Sequence, residues 1–105
     1  MSDSLPCHLI LDVRVRDTGT ISVIEEFVRN LAECLDLHIA KRWDGTEIIE
    51  TLEVHQSEGE FGSGISCLAL LVESNITLHT RDTIKIINLD VFSCRLFSWP
   101  KVIDM

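Results

Sequence analysis

The residues of this sequence that are able to do chemistry gather in its second half, where Ser66, Ser74, His79 and Cys94 follow one another. A serine hydroxyl is a weak nucleophile that needs a proton acceptor beside it. A thiol, with an ordinary pKa of about 8.5, can donate a proton near neutral pH. Each residue also has a structural interpretation, because free cysteines are often buried, a histidine in a strand is often half-buried, and a strand serine often bonds only to backbone. Residue types alone therefore leave the chemistry open.

The sequence around these residues carries a two-part signature. Segment 71–80 reads Leu-Val-Glu-Ser-Asn-Ile-Thr-Leu-His-Thr, and segment 89–94 reads Leu-Asp-Val-Phe-Ser-Cys. Together they resemble the prokaryotic-type S-adenosylmethionine decarboxylase proenzymes, in which Glu-Ser-His-(Ile/Leu)-(Ser/Thr)-Ile-His-Thr precedes Asp-(Val/Leu)-Phe-Thr-Cys. The spacing from the serine to the second histidine and on to the cysteine is kept without a gap. Similar residues at 8–10 and 64–66 extend the resemblance over most of the chain.

The resemblance implies a proenzyme that cuts its own chain between Glu73 and Ser74. In that family the serine hydroxyl attacks the preceding carbonyl and turns the amide into an ester. Elimination and hydrolysis then leave a pyruvoyl group at the new amino end, and in this chain Ser74 would be its source. No external cofactor is required, and the residues matching Ser66 and His79 assist the processing.

The same resemblance implies a decarboxylase of polyamine biosynthesis, with S-adenosylmethionine as the default substrate. The pyruvoyl carbonyl forms a Schiff base with the amine of this small molecule and takes up the electrons released with carbon dioxide. The residue matching Cys94 returns a proton to the carbanion. Because the family enzymes are dimers of processed protomers, we expect a homodimer.

Several positions depart from the family pattern and bear on the substrate. Asn75 stands where the family has its first histidine, and residues 81–83 replace a Trp-Pro-Glu whose glutamate helps to hold the ribose. The predicted substrate-binding residues are Glu58, Glu60, Phe61 and Asp82. Their carboxylates suit a guanidinium or ammonium group better than adenine, so arginine or ornithine is an alternative substrate. A non-catalytic, acidic, dimeric relative is a second alternative.

The elements that must position these residues follow from hydropathy. Alternating apolar residues predict a strand over 8–16, and helical spacing predicts one amphipathic helix over 21–37. Strands over 38–43 and 46–55 flank Asp44-Gly45, a pair typical of type I′ hairpins. A glycine-rich loop over 56–64 precedes the three remaining strands, predicted over 65–73, 75–80 and 84–94.

Together these elements predict a single α+β domain over residues 1–105. We expect a two-layer sandwich of a mostly antiparallel sheet, five or six strands wide, with one main helix, as in S-adenosylmethionine decarboxylases. Ser74 and His79 lie an odd number of residues apart, so an unbroken strand would direct them to opposite faces. We therefore expect irregular backbone at 73–76.

Composition bounds the partners and the compartment. The 105 residues include nine Lys and Arg against 17 Asp and Glu, a net charge of −8 that disfavours nucleic acid and anionic membranes. Four dispersed cysteines without a Cys-x-x-Cys pair are typical of reduced thiols in a cytoplasmic protein. Cys34 and His38 have the spacing of two ligands on a helix, but no further ligands accompany them, and we expect no metal site.

Overall fold

The computed structural model describes residues 7–54, 63–94 and 97–103. Its elements, in chain order, are β1 (Cys7–Arg14), α1 (Ile21–Cys34), β2 (Ile49–Val54), β3 (Gly64–Leu71), β4 (Ser74–Arg81), β5 (Ile86–Ser93) and α2 (Trp99–Ile103). The strands form one antiparallel sheet in the order β1-β5-β4-β3-β2. The predicted α+β fold, with one main helix against an antiparallel sheet, is confirmed.

Helix α1 forms because its apolar residues recur at helical spacing and its first turn is capped. Thr20 Oγ1 accepts a hydrogen bond from the Val23 N–H. The buried stripe of α1 includes Ile24, Val28 and Leu31, and each such side chain contributes roughly 1.5–3 kcal/mol when it leaves water. Its buried neighbours on the sheet are Ile65, Cys67, Ala69, Ile76, Leu78, Leu89 and Val91. The core therefore lies on one side of the sheet.

The helix ends earlier than its apolar spacing predicts. Asp36 adopts a positive φ of 56°. The Leu37 N–H then donates to the Ala32 carbonyl, and the Asp36 N–H donates to the Glu33 carbonyl. This pair of bonds is the Schellman arrangement that terminates helices. Leu35 and Leu37 continue the apolar pattern and are buried, although they lie beyond the last helical turn.

The hairpin predicted around Asp44-Gly45 forms, but it is shorter and less regular than predicted. Residues Ile39 and Lys41 form only isolated bridges, and a regular strand begins at Ile49. The reason is that both arms reach the end of β3: Ile39 bridges Leu71, while Ile49 pairs with Ala69. Between these contacts the two arms pair with each other only briefly: Lys41 bridges Glu47, the Ile48 N–H donates to the Ala40 carbonyl, and the Arg42 N–H donates to the Thr46 carbonyl.

The second side of the sheet, which we call the open face, is covered by neither helix in the part of the chain that the structure describes. It carries Ile10, Leu52, Ser66, Leu68, Leu70 and His79. Among its apolar side chains, Ile10 and Leu52 are the most exposed, at 65% and 67%. Exposed apolar side chains on one continuous face are typical of an interaction surface.

Candidate active site

The family resemblance predicts cleavage of the peptide bond between Glu73 and Ser74, and the backbone of Glu73 is strained. Strand β3 ends at Leu71 and β4 begins at Ser74, so Val72 and Glu73 alone connect them. Glu73 has a φ of 65°. This left-handed conformation costs a residue other than glycine roughly 1–2 kcal/mol. The Glu73–Ser74 peptide bond therefore lies in a two-residue turn that stores local strain.

The carbonyl of Glu73 is held by the backbone of Cys94. The Cys94 N–H donates a hydrogen bond to the Glu73 oxygen over 3.0 Å. A donor fixed on a carbonyl stabilises the negative charge that develops there when a nucleophile adds. The thiol of Cys94 is exposed. One residue thus brings a backbone donor and a free thiol to the same corner of the sheet.

The hydroxyl of Ser74 lies on the core side of the sheet. It contacts Ser93, a residue that the sequence pattern does not single out. Ser74 Oγ donates to Ser93 Oγ over 2.7 Å, and the two serines are directly paired across β4 and β5. Ser74 is buried and Ser93 is fully buried. The available signal was the family signature, which has a threonine, another hydroxyl, immediately before its cysteine.

Ser66 and His79 are brought together, but on the open face. They are cross-strand partners in β3 and β4, and Ser66 Oγ lies 2.8 Å from His79 Nδ1. Five residues separate His79 from Ser74 along β4, a distance of about 16 Å at ~3.3 Å per residue. The pair therefore lies both away from the Ser74 hydroxyl and on the opposite side of the sheet.

The irregular backbone expected at 73–76 is wrong for residues 74–76. Strand β4 pairs residue for residue with β3 and with β5 from Ser74 onward. A bulge would interrupt one of these two ladders, and a central strand has a neighbour on each side to prevent it. The only left-handed residue in this stretch is Glu73. The odd spacing between Ser74 and His79 thus places them on opposite faces.

Of the four predicted substrate-binding residues, only Asp82 lies within the described part of the chain. Glu58, Glu60 and Phe61 lie outside the described residues. Asp82 Oδ1 accepts hydrogen bonds from Thr18 Oγ1 at 2.6 Å and from Thr80 Oγ1 at 3.1 Å. The carboxylate therefore links the segment before α1 to the end of β4, which is a structural role.

The remaining described thiol in the sheet centre is not a candidate nucleophile. Cys67 is buried beneath α1, and burial raises the pKa of its thiol. It consequently stays protonated at neutral pH and packs as a core residue. Within residues 7–54, 63–94 and 97–103, no three His, Cys, Asp or Glu side chains gather as a metal site.

Two shallow grooves flank His79 on the open face. One, of about 370 Å³, is lined by residues that include Leu52, Ser66 and Leu68. The other, of about 220 Å³, is lined by residues that include Ile10 and Asp90.

No helix in the described part of the chain is long and apolar enough to cross a membrane.

Comparison with protein families gives a match that covers most of the chain. The model described as S-adenosylmethionine decarboxylase matches residues 8–105, which is nearly the whole chain. Searches of curated proteins and of solved structures gave no significant match. On the family match, the chain belongs to the S-adenosylmethionine decarboxylase family, whose members are in general pyruvoyl-dependent decarboxylases.

Proposed function

We propose that this chain is a self-processing, pyruvoyl-dependent decarboxylase that cleaves itself between Glu73 and Ser74, with S-adenosylmethionine as its substrate in polyamine biosynthesis. One observation carries the proposal. The carbonyl and the hydroxyl that must react are each held by β5 or the residue after it, through the Cys94 N–H at 3.0 Å and Ser93 Oγ at 2.7 Å. Such positioning is what a weak serine nucleophile requires.

The first step is an isomerisation of the backbone. Ser74 Oγ adds to the Glu73 carbonyl carbon, the bond from that carbon to the Ser74 nitrogen breaks, and the hydroxyl proton ends on the nitrogen. The amide thereby becomes an ester and a free amine, with no other reactant. The Cys94 N–H stabilises the oxyanion of the intermediate, and the strained φ of Glu73 favours leaving the starting state.

Chain cleavage follows from the ester. Loss of the Ser74 α-proton expels the Glu73 carboxylate, which becomes the end of the chain 1–73. Addition of water and release of ammonia convert the remaining dehydroalanine into the ketone. The residues at this corner fit that group, because Ser74 supplies its carbon atoms at the start of β4 and Cys94 lies beside it. A pyruvoyl group supplies the electron sink for decarboxylation.

Cys94 is proposed as the acid that returns a proton to the decarboxylated substrate. Its backbone nitrogen lies 3.0 Å from the Glu73 oxygen, and its thiol is exposed. A thiol at this corner lies near a substrate attached at position 74, and a thiol is one of the side-chain groups that can act as a general acid.

We further propose a homodimer formed through the open face, in which Ser66 and His79 of one copy face the Glu73–Ser74 peptide of the other from the side of the sheet opposite the Ser74 hydroxyl. Within one copy the pair lies across the sheet from the hydroxyl. The open face carries exposed Leu52 and Leu68 beside the pair, which supports burial against a second copy. In sedimentation, Leu68→Asp should give a monomer, whereas Val23→Asp, an exposed site on α1, should leave the dimer intact.

The substrate is tested by release of labelled carbon dioxide from S-adenosylmethionine, arginine and ornithine. The case for a basic amino acid rested partly on Asp82, whose carboxylate accepts hydrogen bonds from Thr18 and Thr80. We therefore keep S-adenosylmethionine as the proposed substrate. Turnover of arginine or ornithine alone would overturn this choice while leaving the chemistry intact.

Intact mass of the purified protein tests the proposal as a whole. The expected result is two chains, residues 1–73 and a chain beginning at a pyruvoyl group in place of Ser74. Ser74→Ala is the matched control and should remain a single chain. A wild-type protein that stays uncleaved and releases no carbon dioxide would instead identify a non-catalytic relative.

A further inference from the structure

We propose that Ser93 is a positioning residue for self-cleavage, the buried acceptor that orients the Ser74 hydroxyl for its attack on the Glu73 carbonyl. The inference rests on the proposed function, because orienting Ser74 has a purpose only if the chain cleaves itself. Neither the two-part signature nor the helper residues Ser66 and His79 assign Ser93 a role.

The hydrogen bond between the two serines is buried and joins residues that are paired in the sheet, unlike a contact at the surface. They face each other across β4 and β5, and Ser74 Oγ donates to Ser93 Oγ over 2.7 Å. The exposed fractions are 6% for Ser74 and 0% for Ser93. Bulk water is therefore poorly placed to replace Ser93 as the acceptor. Ser93 therefore fixes the direction in which the Ser74 hydroxyl points.

The orientation matters for the chemistry of the hydroxyl. When Ser74 donates its proton toward Ser93, the lone pairs of its oxygen are left for bond formation. As the bond from oxygen to the Glu73 carbon forms, that proton leaves the oxygen and is finally carried by the former amide nitrogen. Ser93 itself gains and loses no net proton. Its contribution is to hold the nucleophile in a reactive orientation.

Consecutive residues then hold both reacting groups. Ser93 accepts from the nucleophile, and the N–H of Cys94 donates to the carbonyl that the nucleophile attacks. Because β5 is paired with β4 and β1 on its two sides, the end of this strand is a rigid platform. A rigid support of this kind keeps a nucleophile and its target in register.

The test compares the rate of self-cleavage, followed by intact mass on freshly translated protein, in the wild type and in two variants of nearly equal shape. Ser93→Thr keeps the hydroxyl, as does the threonine of the family signature, and should cleave close to the wild-type rate. Ser93→Val lacks it and should cleave on the order of 10–100-fold more slowly. Equal rates for the two variants would overturn the proposal. A wild type that never cleaves would instead overturn the proposed function.

A second readout separates positioning from general destabilisation and from a later step. Hydroxylamine cleaves an ester but not the parent amide, so it restores cleavage only where the ester accumulates. If Ser93 acts before the ester forms, hydroxylamine leaves Ser93→Val slow; restored cleavage would contradict the proposal. Thr80→Val removes another buried hydroxyl from the same side of β4. It should cleave normally at a comparable loss of thermal stability, and equal slowing there would reduce Ser93 to a packing role.

Discussion

Cys94 offers two groups to the candidate site, and they belong to different steps. Its backbone N–H contacts the Glu73 carbonyl, whereas its thiol is exposed. A side-chain substitution removes the second group and keeps the first. The two steps of the proposed reaction are therefore separable at a single residue.

Cys94→Ala should still cleave into two chains but lose decarboxylation by roughly 100-fold or more, because the proton donor is missing while the backbone donor remains. Intact mass measures the first outcome and carbon dioxide release the second. Cys34→Ala, at an exposed thiol on α1, is the control and should match the wild type in both. Full carbon dioxide release by Cys94→Ala would remove the thiol from the mechanism.

Asp82 was predicted to bind substrate, but its contacts are those of a residue that stabilises the fold. Its carboxylate accepts from Thr18 and Thr80, and the Asp82 N–H donates to the Ser63 carbonyl. Asp82→Asn should lower the free energy of unfolding by about 1–2 kcal/mol in urea titration, since an amide replaces a charged acceptor. The KM for substrate should not change. A raised KM at unchanged stability would restore Asp82 as a binding residue.

Among the secondary-structure elements, the hydropathy pattern predicts the helix and the strands that have one buried side and one exposed side. It does not predict the elements that lack such a regular pattern of burial. β3, β4 and α1 each have a continuous buried side, so their periodicity is visible. α2 spans five residues, too few for a period, and therefore escaped prediction. The arms around Asp44-Gly45 resemble strands in composition, but they pair with each other only within residues 40–48, and both also bond to the end of β3.

The candidate site was predictable only in part, because the sequence does not show how its strands are paired. The spacing signature identifies Ser66, Ser74, His79 and Cys94 without showing which of them meet. That depends on the register of β3 against β4, which the two-residue turn at Val72 and Glu73 sets. Once that turn is known, the pairing of Ser66 with His79 follows. Ser93 was missed because the hydroxyl residue before the cysteine of the signature gains a role only when its cross-strand neighbour, Ser74, is known.

Two glycines provide a test at the same scale, because they are constrained for different reasons. A Cβ at Gly64 would lie 2.0 Å from the Thr80 carbonyl oxygen, whereas one at Gly45 would meet nothing within 4 Å. Gly64→Ala should lower the free energy of unfolding by roughly 2–3 kcal/mol through that backbone clash. Gly45→Ala should cost about 1 kcal/mol, through its φ of 89° alone. Equal losses in urea titration would argue against the close approach.

For the whole molecule, the separation of His79 from Ser74 makes a prediction about mixed dimers. Ser74→Ala has no nucleophile and His79→Ala has no imidazole, so neither should cleave by itself. When the two are coexpressed, a mixed dimer contains one Ser74 and one His79 on different copies. The His79→Ala chain should then be cleaved, as shown by intact mass. No cleavage in the mixture, or cleavage of His79→Ala alone, would contradict a site shared between copies.

The strand order has a consequence for what becomes of the two products. A cut after Glu73 leaves β4 and β5 on one fragment, inserted between β1 and β3 of the other. The smaller fragment is thus sandwiched, and both of its flanking ladders must unzip before it can leave. The nicked molecule should migrate as one particle under native conditions. Once denatured, it should recover its shape at a rate that depends on concentration, because two separate polypeptides must find each other.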